Sequence, residues 1–340
     1  MRTTTLGPLS DVSRLTLGGG GVGQIWGETS RDEAVATLHA ALDAGITVID
    51  SAPMYGACET NIGLAFEGRP PAGLKFTTKC QLGTPPLGAA AAILEDSLDA
   101  SLQAMRLEHI DVFFLHSNLH ADGFEYAHGD AAKARFSTAW TTYVDEVIPA
   151  FERLKASGRI GAWGITGIGV PTAVLSALGQ TPKPDVVQVI ANLMDSPGAL
   201  RRYAEPPRPR EIAAAAKAAA VGVMGIRAVQ AGALTLQVDR ELRPNSPDNA
   251  DYANAATFRA LCARWREDPA VVAHRYALSM ANFDTVVLGV KNRAELAQCV
   301  AAEAAGSFSP QQMAEIDGLG LAVAQNDPLI PANAGTQIEN

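Results

Sequence analysis

Four side chains in this sequence have the types and spacing to move a proton. Asp50 closes the short apolar run Ile46-Thr47-Val48-Ile49, and Tyr55 follows five positions later in Ser51-Ala52-Pro53-Met54-Tyr55-Gly56. Lys79 ends Phe76-Thr77-Thr78, and His116 ends a run of apolar residues that begins at Ile110. A phenol has a reference pKa near ~10 and is a poor acid or base at neutral pH unless neighbouring charges retune it. A lysine ammonium nearby would favour the phenolate, an aspartate could hold and neutralise that lysine, and a histidine could donate or relay a proton. Taken singly, each residue has an ordinary reading: a turn aspartate, a rim tyrosine, a surface lysine, a satisfied core histidine. Four of them on three consecutive strand ends are much harder to explain separately.

Strand-like and helix-like runs alternate along almost the whole chain, and these elements would position the four residues. Apolar runs at 15–17, 48–50, 76–79, 110–116, 160–166, 186–190, 221–226 and 286–290 read as eight strands. Most are followed by a helical stripe. Val35, Leu38 and Leu42 follow a cap at Thr29 or Ser30 and stop at Gly45, and Leu94, Leu98, Leu102 and Met105 form the next stripe. The 144–155 helix carries Pro149, which marks a kink or a late start. Runs that are apolar throughout, rather than alternating, indicate parallel strands buried on both faces. The expected fold is therefore α/β: residues 1–340 as a single (β/α)8 barrel with long loops on its C-terminal face. Insertions at 117–140 and 230–251 follow strands and read as substrate loops, and 325–340 reads as a C-terminal tail.

The chain has 340 residues, 47% of them apolar, and a formal net charge of −9. The acidic balance and the lack of basic clusters argue against nucleic-acid and anionic-membrane partners. The four scattered cysteines (Cys58, Cys80, Cys262, Cys299) include no C-x-x-C pair, which favours free thiols in a reducing compartment. With no leader-like or membrane-spanning run, a cytoplasmic location is expected. Nothing in the composition addresses oligomeric state.

At this point the sequence resembles the aldo-keto reductase superfamily. The resemblance runs from about residue 6 to 305. It is carried by Asp50 with Tyr55-Gly56, Lys79 in Phe76-Thr77-Thr78-Lys79, Leu115-His116, Leu154-Lys155-x-x-Gly158-x-Ile160, Gln188, and Gly232-Ala233-Leu234-Thr235. Its motif layout is most similar to bacterial aldose-dehydrogenase and aldehyde-reductase branches. The resemblance implies a small-molecule carbonyl (aldehyde, ketone or aldose) interconverted with its alcohol, using NADP(H) or NAD(H). It further implies Tyr55 as general acid, Lys79 and Asp50 as its tuners, and His116 as the group that orients the carbonyl.

For the cofactor, the resemblance points to Gly18 and Gly19 in the first loop and to Thr166, Gln188 and Ile226 at the nicotinamide. It adds Arg227 towards the pyrophosphate and Gly289, Lys291, Arg293 and Glu295 at the adenosine end. Thr166-Gly167 stands where Ser-Asn is usual, Ile226 where an aromatic residue is usual, and Cys299 where Asn is usual. Lys291 favours a 2′-phosphate, whereas the carboxylate of Glu295 would repel one, so NADP(H) is expected and NAD(H) stays open. Trp26, Met54 and Asn118 are candidate substrate-pocket residues, with Phe124 and Tyr126 in the first insertion.

Three rival readings remain. Gly18, Gly20 and Gly23 satisfy G-x-G-x-x-G after an apolar run, as in a Rossmann fold, but the next helix signal comes only at Thr29. His116, His120, Asp122, His128 and Asp130 could ligate a metal in a barrel hydrolase, although their spacing matches no defensible metal pattern. A barrel that keeps the cofactor in a regulatory role is the third.

Overall fold

The computed structural model describes residues 1–322 apart from 127, 128, 239 and 243. The 325–340 tail and His128 therefore lie outside the described residues.

The described residues form twelve strands: β1 (Thr3–Leu6), β2 (Leu9–Ser13), β3 (Leu15–Gly18), β4 (Val48–Asp50), β5 (Lys75–Cys80), β6 (Ile110–Leu115), β7 (Asn118–His120), β8 (Ser137–Ala139), β9 (Ile160–Thr166), β10 (Val186–Ile190), β11 (Gly222–Ile226) and β12 (Thr285–Leu288). Eight of them close a parallel barrel in the order β3-β4-β5-β6-β9-β10-β11-β12, with β12 pairing back onto β3. All eight expected strands are in it. The Rossmann reading is corrected on this point, because the sheet is closed and not doubly wound. The glycines do enter one helical turn, Gly19–Val22, but they serve the barrel.

The β pleat divides each strand between two cores. Val48, Val112, Phe114, Ala162, Val186 and Met224 pack inside the barrel, with Leu6, Leu9 and Val12 of the β1–β2 hairpin filling its lower end. Leu15, Leu17, Ile49, Phe76, Phe113 and Leu115 face outward into the helix layer. The same alternation carries the polar residues. Two positions beyond Val48 is Asp50, beyond Thr77 is Lys79, beyond Phe114 is His116, and beyond Val186 is Gln188. An apolar lower barrel thus continues upward into a ring of polar side chains at the C-terminal ends of the strands.

The helices follow the expected signals. Arg31–Asp43 is capped by Ser30, whose Oγ accepts from the Glu33 amide at 3.1 Å. Leu94, Leu98 and Met105 are the buried stripe of Ala90–Met105. Pro149, however, lies within a longer helical run and marks no start: the turn Trp140–Thr142, a single π turn Tyr143–Val147 and the α-helix Ile148–Ala156 follow one another without a break in helical dihedrals, with the π turn just before the proline. Two further expectations change. The β1–β2 hairpin is an addition to the eight strands. The 117–140 segment is also no simple loop, because β7 and β8 pair with each other and flank the helix Asp130–Phe136.

Every glycine from Gly18 to Gly23 except the pocket-facing Gly20 sits against backbone or a buried thiol. A Cβ on Gly21 would stand 1.9 Å from the Val290 carbonyl oxygen, and one on Gly23 would stand 1.8 Å from that of Tyr55. The run therefore seats the β3 loop between the end of β12 and the Tyr55 turn. Gly21→Ala should destabilise the fold by roughly 1–3 kcal/mol, read as a lower urea midpoint at unchanged slope.

Candidate active site

The C-terminal ends of the barrel strands open into a cavity of about 620 Å³, within the usual range for a small-molecule site. Asp50, Tyr55, His116, Thr166 and Gln188 line one part of it, and Lys291, Glu295 and Gln298 line another.

Asp50 forms part of the cavity wall and Lys79 lies behind it, 2% and 0% exposed. Lys79 Nζ donates to Asp50 Oδ2 at 2.7 Å and to the Ser51 carbonyl at 2.8 Å. The other Asp50 oxygen, Oδ1, accepts from Thr77 Oγ1 at 2.6 Å and Gln188 Nε2 at 2.7 Å. A carboxylate can only accept, which fixes the Gln188 amide with its NH2 towards Asp50 and its carbonyl free to turn elsewhere. On β5 the pleat sends Thr77 and Lys79 inward and Thr78 outward, where its hydroxyl donates to Glu59 at 2.6 Å.

The Lys79 ammonium lies 4.4 Å from the centroid of the half-buried Tyr55 ring. Burial alone would lower the lysine pKa, but the negative charge of Asp50 and the adjoining phenol outweigh it and leave it raised. For Tyr55, burial pushes the phenol above its ordinary value; Lys79 pulls it down and Asp50 pushes it up. The lysine thus acts in the expected direction, but burial is the larger effect and the phenol stays protonated at neutral pH.

His116 meets Tyr55 edge to face, with ring centroids 5.8 Å apart at 87°. Burial, reinforced by the Lys79 charge, lowers its pKa from 6.5 to about 3. Its Nδ1 is buried without a hydrogen-bond partner. The imidazole is therefore neutral at physiological pH. Thr166 Oγ1 reaches the His116 carbonyl at 3.2 Å.

The remaining sequence candidates divide between the wall and elsewhere. Gly18, Gly19, Trp26, Met54, Ile226, Arg227, Gly289, Lys291 and Glu295 line the cavity. Two do not. Asn118 is corrected because β7 pairs it with Ser137 and buries it away from the cavity. Arg293 is corrected because its guanidinium turns outward onto Glu33, at 2.8 Å. Arg227 lines the wall, but its guanidinium is held by Asp248 at 2.9 Å and by Gln230 at 3.0 Å. Lys291 Nζ lies 3.5 Å from Glu295 Oε1, and Glu295 Oε2 also accepts from the Lys291 amide. The metal reading finds no support among the described residues: His120 stacks on Phe124, Asp122 accepts from Thr141, and no group of three metal-capable side chains converges.

Sequence reasoning missed Arg240, whose guanidinium lies 5.2 Å from the Trp26 ring, and the His274–Cys299 pair, 3.6 Å apart. No local signal marks either, since both come together only across the barrel mouth.

The closed barrel, with a buried acid–lysine pair behind a tyrosine and a histidine on adjacent strand ends, defines a barrel oxidoreductase. Comparison places it further: the model of the Aldo/keto reductase family matches residues 14–320, and the chain belongs to that family. An L-galactose dehydrogenase of Arabidopsis thaliana is 26% identical over 305 residues, 86% of this chain and 84% of the relative. A methylglyoxal reductase of Escherichia coli is 26% identical over 156 residues, 45% of each chain. Among solved structures, a holo-form aldo-keto reductase from Bacillus halodurans superposes with a TM-score of 0.67 at 20% identity, covering 94% of this chain and 96% of the other. A glycerol dehydrogenase from Gluconobacter oxydans superposes with a TM-score of 0.66, also at 20% identity, covering 93% and 94%.

A histidine whose folded pKa lies below its unfolded value contributes stability fully present above the unfolded value and lost as pH falls towards the folded one. With His116 at about 3 against 6.5, stability should decline as pH drops below about 6.5. His116→Gln should flatten that decline in denaturant titrations run from pH 7 to 4.

Proposed function

We propose that this protein is a nicotinamide-dependent oxidoreductase that interconverts a small carbonyl compound and its alcohol, with Tyr55 as general acid in reduction and general base in oxidation. The observation that carries this reading is the Asp50–Lys79 ion pair set behind the Tyr55 ring, beside a neutral His116.

The donor set fits a nicotinamide dinucleotide. Gln188 and Thr166 stand beside the catalytic group, where a carboxamide needs partners, and Ile226 offers an apolar face at the next strand end. Gly18 and Gly19 line the approach, Arg227 borders the middle, and Gly289, Lys291 and Glu295 border the far end. When bound, the reduced cofactor supplies the hydride.

The chain's own residues manage the proton. His116, uncharged, donates a hydrogen bond that holds the carbonyl oxygen against Tyr55. The Tyr55 hydroxyl then protonates that oxygen as negative charge develops on it. Lys79 stabilises the phenolate left behind, and Asp50 keeps Lys79 in place. In oxidation the same groups run in reverse.

Lys291 supports a preference for NADP(H), since an ammonium suits a 2′-phosphate. Glu295 moderates that preference and supports some use of NAD(H). The four buried, free cysteines support a reducing, cytoplasmic setting. We assign no oligomeric state.

Tyr55→Phe should lower kcat by roughly 10²–10⁴ while leaving cofactor affinity nearly intact. Stopped-flow turnover beside a fluorescence titration of reduced cofactor checks both, and normal turnover would end the mechanism. Lys291→Ala should weaken NADP(H) roughly tenfold or more, consistent with the loss of one charge-assisted contact, and barely change NAD(H). Equal losses for both nucleotides would remove Lys291 from the phosphate site.

A further inference from the structure

One buried carboxylate close to the site has no part in moving the proton. Glu59 stands in the first turn of the helix Cys58–Phe66, just after the Tyr55 turn, and is 7% exposed. Its Oε1 accepts from Thr78 Oγ1 at 2.6 Å, and the Ser101 hydroxyl on the helix Ala90–Met105 is a second donor to it. Burial pushes its pKa up, against the pull of these two hydroxyls and of the Lys79 charge. A buried carboxylate held only by hydroxyls is costly to keep. Nor does it cap its own helix, because its side chain turns away from the helix start and onto β5.

The order of residues shows what the bond does. Consecutive threonines of β5 each bond a carboxylate that flanks Tyr55. Thr77 faces into the barrel and bonds Asp50, which precedes the tyrosine; Thr78 faces out and bonds Glu59, which follows it. The next residue of β5 is Lys79, whose ammonium lies 4.4 Å from the centroid of the Tyr55 ring. The turn that carries the phenol is thus tied at both ends to the strand that carries the cation. There is little slack between Tyr55 and Glu59, since the Cys58 amide donates to the Tyr55 carbonyl at 3.1 Å and the Cys58 side chain is buried against Gly19. Gly63 lets this helix close onto Ala90–Met105: a Cβ there would stand 2.3 Å from the Ala104 carbonyl oxygen. The same close approach brings Ser101 within reach of Glu59.

We infer that Glu59 is a positioning residue for the proton transfer: through Thr78 it fixes the Tyr55 turn against β5 and so sets the distance between the phenol and Lys79. This rests on the oxidoreductase reading above and adds to it a residue set behind the cavity wall. Asp50 holds the ammonium side of the gap, and Glu59 holds the phenol side. The role needs reach and an acceptor oxygen, not charge. A glutamine offers the same kind of oxygen to Thr78 and can donate its amide to Ser101. An aspartate keeps the charge but is a methylene too short.

The test compares Glu59→Gln, Glu59→Asp and Thr78→Val in single turnovers of NADPH with 4-nitrobenzaldehyde, followed by stopped flow at saturating aldehyde. Glu59→Asp and Thr78→Val should slow hydride transfer at least about tenfold, as expected when a reacting group is misplaced by a fraction of an ångström or more. Glu59→Gln should lose no more than about threefold, and NADPH affinity should stay within about twofold in all three variants. Rescue by glutamine and not by aspartate separates reach from charge. A faster Glu59→Asp than Glu59→Gln would make the charge the working part and overturns the proposal. So do three rates within about threefold of the parent, or rate losses matched by equal losses of NADPH affinity, which would mark general damage to the barrel.

A spectroscopic measurement separates this inference from the catalytic one. In protein labelled with 13Cζ-tyrosine, Tyr55→Phe assigns the Tyr55 resonance. Glu59→Asp and Thr78→Val should move or split that resonance, and Glu59→Gln should leave it in place. That pattern supports the positioning role even where no aldehyde is turned over, a result that would strike the oxidoreductase reading instead. A Tyr55 resonance unmoved by both Glu59→Asp and Thr78→Val overturns the role whatever the turnover.

Discussion

The site depends on a buried ion pair. Asp50 and Lys79 lie at the ends of adjacent strands, almost wholly removed from water and 2.7 Å apart. Removing two charges from water costs several kcal/mol each, and their attraction offsets that only with good geometry and further hydrogen bonds. Here Thr77, Gln188 and the Ser51 carbonyl supply those bonds. A pair this enclosed adds little net stability. Its effect is to hold a permanent cation 4.4 Å from a phenol ring in a setting where water cannot screen it. Much of the surrounding structure preserves this geometry: the β5 pleat that turns Thr77 and Lys79 to one side, the register that sets Asp50 opposite Thr77, and the glycines that seat the Tyr55 turn.

The protonation states follow from that cation and from burial. His116, inside the same low-dielectric space and near a fixed positive charge, cannot easily gain a second proton and works as a neutral hydrogen-bond group. Tyr55 is pulled both ways, with burial dominant. The result is a protonated phenol beside a neutral imidazole at neutral pH, the pair of states that the proposed proton transfer requires.

Across the mouth the organisation is different. At the far end the groups are half-exposed and paired with one another: Lys291 with Glu295, and Arg293 with Glu33. Between the ends, Arg227 is locked to Asp248, within the 230–251 insertion, and Asp251 accepts from Ser196 and Gln230 nearby. These networks tie an inserted segment to the barrel rim through charge and hydrogen bonds, whereas apolar packing holds the lower barrel.

The sequence by itself determined the barrel strands, the helix start at Ser30, and the placing of Asp50, Lys79 and His116 at neighbouring strand ends with Tyr55 on the turn that follows the first. Apolar strands and capped helices are local signals, and a polar residue at the end of a buried run stands out against its neighbours. Other features depended on contacts between distant segments. Asn118 read as a pocket residue until β7 found β8, and Arg293 read as a phosphate contact until Glu33, 260 positions away, claimed it. Gly18 and Gly19 line the cavity, but that Gly19, Gly21 and Gly23 also lie against Cys58, Val290 and Tyr55 of this same chain was not legible in the run itself. Arg240 on Trp26 carried no local signature at all. Whether a charge or a bulky side chain faces the cavity depends on which partner reaches it first in three dimensions. Only the tertiary structure decides that, because pairing energies act through space and not along the chain.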